Sequence, residues 1–128
     1  MATTGEIARH REATILASAA RTETATGADQ TNDAWRGVIL TLDITVWNAT
    51  TLDVKVQTKD PTSGKYVDLP GAAFAQKSGT GTDTLTIYPG IAETANRSVS
   101  DVLSATWRVV GTQVGTSATY SVGACYMR

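Results

Sequence analysis

Hydrophobic and polar positions alternate most clearly over residues 36–47, where Val38, Leu40, Leu42, Ile44 and Val46 share one parity and Thr41, Asp43, Thr45 and Trp47 the other. Side chains of a strand point to opposite faces in turn, so this pattern predicts a strand with one buried face. Residues 52–59 repeat it, with Leu52, Val54, Val56 and Thr58 against Asp53, Lys55, Gln57 and Lys59. One solvated face points to an antiparallel sheet. Pro61 and Gly64 within Lys59-Asp60-Pro61-Thr62-Ser63-Gly64-Lys65-Tyr66 then predict a hairpin loop.

Further strands are predicted at 66–69, 72–76, 82–88, 105–110 and 118–127, separated by Gly, Ser, Asn and Pro clusters, and at 12–20 around Ile15 and Leu16. No window of more than ten residues keeps a helical period, although 91–102 has room for a turn or two. The expected fold is all-β: a single β-sandwich or jelly-roll-like domain of about seven or eight antiparallel strands. Residues 1–11 are polar and read as an extended N-terminal arm, leaving 12–128 as the domain. Residues 21–34 lack any large apolar side chain and read as a surface loop or an arm laid on something else.

Composition narrows the function. Eleven Lys and Arg against twelve Asp and Glu give a net charge of -1 without a basic block, so nucleic acid is not an expected partner. No apolar run reaches the ~18 residues of a membrane span, and the first residues lack the pattern of a signal peptide; a soluble protein made in the cytoplasm is expected. Only 18% of residues are charged, below the ~25% of ordinary soluble domains. That fits faces that contact other subunits and fits equally a Thr-rich β domain with small side chains.

Candidate chemistry is sparse. The one histidine, His10, lies between Arg9 and Arg11 in a polar segment with no acid or nucleophile implied beside it. The one cysteine, Cys125, cannot form an internal disulfide and has no neighbour in sequence that would favour a thiolate. Neither zinc-ligand spacing nor a calcium-loop register is present, and Gly79-Thr80-Gly81 lacks a phosphate-binding lysine. No enzyme activity, metal or cofactor is therefore expected. Of the three tryptophans, Trp107 reads as core, whereas Trp35 and Trp47 are candidate interface anchors.

Several short stretches occur in a distinctive order: Ala20-Arg21-Thr22, Asp29-Gln30-Thr31-Asn32, Arg36-Gly37, Leu42-Asp43-Ile44-Thr45, the 59–66 loop, Tyr88-Pro89-Gly90, Leu103, Trp107-Arg108-Val109 and Tyr120-Ser121-Val122-Gly123. This set, spanning about residues 14–124, resembles a group of small proteins encoded among the structural genes of tailed bacteriophages. The resemblance implies a virion protein without catalytic activity: a decoration or cement protein on the outer capsid surface, bound to the major capsid protein and to copies of itself. On that reading the contacts fall to Ile7, Arg9, His10 and Arg11 of the arm, to Arg21, Asp29, Asn32 and Trp35 of the 21–35 loop, and to Trp47. A tail-tube or tail-tip subunit is the nearest alternative. A carbohydrate-binding module stacking sugars on Trp35, Trp47 or Tyr66 is another.

Overall fold

The structure, a computed structural model, describes residues 10–128. Its strands are β1 (His10–Arg21), β2 (Ala25–Thr26), β3 (Gln30–Thr31), β4 (Gly37–Lys59), β5 (Tyr66–Ala73), β6 (Gly81–Ile87), β7 (Ser98–Val99) and β8 (Thr106–Met127). They join in one sheet of order β1-β8-β4-β6-β7, with β2 and β3 also on β8 and β5 on β4. Pairing is antiparallel except between β6 and β7.

Two very long strands organise everything else. β4 and β8 run antiparallel from Gly37↔Met127 to Thr58↔Trp107, and the ladder shifts register between Ile44 and Val46 and on either side of Ala49. Such irregularities bend strands sharply and let one strand serve two layers. The first layer holds β1, residues 118–127 of β8, residues 37–44 of β4, β6 and β7; the second holds β2, β3, residues 106–111 of β8, residues 51–59 of β4, and β5. The layers meet through their apolar faces, as the Trp107 ring from the second packs edge-on against Tyr126 from the first at 5.9 Å.

The alternation that predicts β4 also shows how it bends. Val38, Leu40, Leu42 and Ile44 are buried, then the shift at Thr45 reverses the phase: Val46 is 56% exposed, while Trp47 and Ala49 turn toward the core. Val46 and Trp47 thus exchange the faces expected of them. A second slip restores the inward parity for Leu52, Val54 and Val56. Opposite Ala49 stands Gly115 at φ 113°, where a Cβ would lie 2.4 Å from the Thr50 amide nitrogen. Only glycine fits that corner.

Three other expectations change. The predicted strands 36–47 and 52–59 are one strand, as are 105–110 and 118–127. The 91–102 segment forms no helix: Ser98 Oγ accepts from the Thr94 amide and donates to the Ala92 carbonyl, engaging groups that a helix would use along its axis. The 21–34 segment is laid on its own domain, with β2 and β3 paired to the edge of β8 and the Gly27 amide bonded to the Val109 carbonyl at 2.8 Å.

Candidate functional site

The outer face of the second layer carries the most organised polar surface. Strand alternation places Lys55, Gln57 and Lys59 of β4 on this face, opposite the inward Val54 and Val56. The β4–β8 register sets Arg108 beside Gln57, and the β4–β5 register sets Asp68 on Gln57's other side and Tyr66 beside Lys59. A row Arg108–Gln57–Asp68 thus crosses three strands. Arg108 Nε donates to Gln57 Oε1 at 2.9 Å, Gln57 Nε2 donates to Asp68 Oδ1 at 2.9 Å, and Lys55 Nζ donates to Asp68 Oδ2 at 3.0 Å.

Asp29, from the bend between β2 and β3, closes the row from the other end. It accepts from Tyr66 Oη at 2.6 Å and from Lys59 Nζ at 3.1 Å. The Arg108 guanidinium lies over the Tyr66 ring, its Cζ 3.4 Å from the centroid, a stacking geometry suited to the planar cation. Hydrogen bonds from Tyr66 and Lys59 hold the Asp29 carboxyl below the usual carboxylate range, and Asp29 in turn raises Lys59. Gln57 and Lys55 lower Asp68 in the same way. Asp29, Asp68 and Lys59 are thereby all shifted toward their charged forms.

The outer face of the first layer differs. Paired across it are Glu12, Cys125, Ile39 and Thr86 in one row and Thr14, Gly123, Thr41 and Thr84 in the next. A Cβ on Gly123 would meet nothing within 4 Å, and this gap opens a shallow depression of about 510 Å³ lined by Glu12, Thr14, Ile39, Thr41 and Cys125 among others. Cys125 is half-buried there. Among the described residues, no group of three His, Cys, Asp or Glu is gathered to hold a metal ion.

The residues singled out from sequence are scattered over this frame. Ile7 and Arg9 lie outside the described residues. His10 and Arg11 begin β1, inside the stretch read as an arm, and both are exposed; Arg11 sits 5.6 Å from the Tyr126 ring. Arg21 is spent internally, bonding the carbonyls of Ala17, Ala19 and Tyr120 and covering the Tyr120 ring. Asn32 is likewise engaged: its Nδ2 donates to the carbonyls of Trp35 and Leu103, and its Oδ1 accepts from the Trp35 amide. Trp35 packs on Tyr126 at 6.4 Å with Arg128 beside it, and Trp47 rests half-buried on the core.

Only Asp29 of that set enters the polar network. Of the three rings that a sugar-stacking reading offers, Trp35 packs on Tyr126, Trp47 rests on the core and Tyr66 is covered by Arg108. Sequence reading passes over Arg108 and Asp68, takes Gln57 only as a solvated position and Tyr66 only as a sugar-stacking ring. The outward parity of Lys55, Gln57 and Lys59 is visible in the sequence, but their partners are set by strand register alone.

Comparison with known proteins gives a fold. No family model and no curated protein matches the chain. Among solved structures, the SPBc2 prophage-derived protein YomS is similar over 96% of this chain and 98% of its own, at 11% identity and a TM-score of 0.55. A chain in the structure of infectious bursal disease virus Gx strain is similar over 92% of this chain, at 12% identity and a TM-score of 0.51. The match covers 31% of that viral chain. Both likenesses are of architecture: the same all-β frame spans the prophage-derived protein end to end and part of a longer viral chain.

Proposed function

We propose that this chain is a structural protein of a phage particle that decorates the outer surface of the capsid and stabilises the shell by binding it. The observation that carries this reading is the end-to-end correspondence with a prophage-derived protein, joined by the likeness to part of a viral chain. The surface agrees in kind. One outer face gathers small and hydroxyl side chains with Glu12 around a depression, and the other carries a hydrogen-bonded network of paired charges. Side chains already bonded to their neighbours, as on the charged face, lose less entropy on docking, which suits repeated attachment to a lattice.

Co-sedimentation with emptied shells of the cognate phage, followed by heating of the decorated shells, tests the proposal. Saturation at a fixed number of copies per shell with a raised shell melting temperature is the expected result. Absence of binding, together with self-assembly into rings or stacks, would sink it in favour of a tail subunit.

A further inference from the structure

We infer that Arg108 is the anchor of a docking site on the outer face of the second layer, and that it receives a single carboxylate, an Asp or Glu side chain, from a partner protein. The inference deepens the particle-binding reading above and rests on it for where the partner is found.

The guanidinium is held in place without being used up. An arginine carries five N–H donors in one plane. Arg108 commits Nε to Gln57 at 2.9 Å and its flat face to Tyr66 at 3.4 Å. Among the described residues, neither Nη group makes a hydrogen bond and no carboxylate oxygen lies within the 4.0 Å of an ion pair. Four donors therefore remain in a fork whose orientation is already set. The two nearby acids are engaged elsewhere, Asp29 by Lys59 and Tyr66 and Asp68 by Lys55 and Gln57. Asp29 lies near enough for the Arg108 charge to help Tyr66 and Lys59 hold its carboxyl low, but the fork itself has no hydrogen-bonded or ion-paired partner inside the described chain.

Charge selects the class of ligand. Lys55, Lys59 and Arg108 stand against Asp29 and Asp68, which leaves one positive charge in the cluster. One surplus charge, flanked by two carboxylates, matches one anionic group and is too little to neutralise a row of phosphates; a nucleic-acid backbone or a strongly anionic surface is therefore disfavoured. A carboxylate meets the two Nη groups side by side in the fork-to-fork arrangement. Arginine and tyrosine are also, with tryptophan, the side chains enriched where protein interfaces carry their binding energy. Lysine in place of Arg108 would keep the charge and lose both the plane and the stack.

Two measurements test this. In the first, sodium acetate, inorganic phosphate and sodium chloride at matched ionic strength are each titrated into the full chain, observing arginine Nε–Hε resonances by NMR. Acetate is expected to shift Arg108 saturably and at least about tenfold more tightly than the exposed Arg36 or Arg97, with chloride inert. A response no stronger than at Arg36 overturns the inference, as does tighter binding of phosphate than of acetate.

In the second, Arg108→Lys and Gln57→Ala, both checked for an unchanged thermal midpoint, are compared with wild type in shell binding. Arg108→Lys should weaken binding about tenfold to a hundredfold, the scale of a lost charge-assisted hydrogen bond. Gln57→Ala, which frees the guanidinium, should fall between the two. Unchanged binding by Arg108→Lys overturns the inference even if wild type decorates shells. Selective acetate binding by a wild type that ignores shells would uphold it and remove the capsid as the partner.

Discussion

Gly111 and Tyr120 face each other across the two layers, and their contact can be dissected by a double-mutant cycle. Tyr120 is fully buried and its hydroxyl has no hydrogen-bond partner among the described residues. A Cβ added at Gly111 would lie 2.5 Å from that hydroxyl, but 3.4 Å from Tyr120 Cζ and 3.6 Å from Leu52 Cδ1, both ordinary contacts. Gly111→Ala alone should therefore cost about 1–3 kcal/mol by overpacking. Tyr120→Phe removes the obstructing oxygen and an unsatisfied buried polar group, so it should be neutral or stabilising by up to about 1 kcal/mol. In the Tyr120→Phe background the same Gly111→Ala change should stabilise by about 0.4–1 kcal/mol, through the smaller entropy of the unfolded chain. Equilibrium urea unfolding of the four proteins would show a coupling of about 1.4–4 kcal/mol, the wild-type cost plus the gain in the Tyr120→Phe background. If Gly111→Ala costs the same in both backgrounds, the hydroxyl is not what the glycine accommodates and the reasoning fails.

Three other outcomes follow from the same structure. Asn32→Asp would turn a carboxylate toward the carbonyls of Trp35 and Leu103, 2.7 and 3.0 Å from Asn32 Nδ2, and should cost about 2–4 kcal/mol by urea unfolding; a wild-type midpoint would dismiss its role as a strut. Gly115→Ala, with positive φ and backbone atoms closer than 3 Å, should cost about 2–4 kcal/mol, against about 1–2 for Gly64→Ala, where φ is 74° but the space is open; equal losses would contradict the bend. Burial pushes the phenols of Tyr120 and Tyr126 above the usual tyrosine value, Arg21 opposing the shift at Tyr120, and Trp107 with Arg11 at Tyr126. Unfolded tyrosines ionise near about 10, so the stability from these two is complete below that pH and lost as pH rises above it. Ultraviolet titration should show Tyr120 and Tyr126 ionising only as the fold is lost, and ionisation of both in the folded protein would refute the burial argument.

The strands could be read from sequence where one face is dry and the parity unbroken, as at Val38 to Ile44 and Leu52 to Val56. The continuity of β4 could not be read, because a phase slip at Thr45 looks like the end of a strand until a partner is seen to continue past it. Gly115 gave no hint either, since the residues it must avoid, Ala49 and Thr50, are brought to it by pairing. The polar network illustrates the same limit. Asp29, Tyr66 and Arg108 are 37 and 42 residues apart in succession, and nothing local in Thr106-Trp107-Arg108-Val109-Val110 distinguishes Arg108 from a solvated arginine. Asn32 and Arg21 mislead in the opposite direction: polar residues in a polar segment suggest outward contacts, but backbone carbonyls that need donors tie both of them to their own domain.

β1, β2, β3 and β4 all find a hydrogen-bonding partner in β8. The element that unites the fold is thus synthesised after the four that depend on it, and Gly37 waits for Met127. Before β8 emerges from the ribosome, only β4 with β5, β6 and β7 has native partners. Neither layer can be completed without β8, and neither outer face exists in its final form until β8 has paired. Lys55, Gln57 and Asp68 can meet as soon as β4 pairs with β5, but Arg108 is carried by β8 itself, so the row across the second layer closes last.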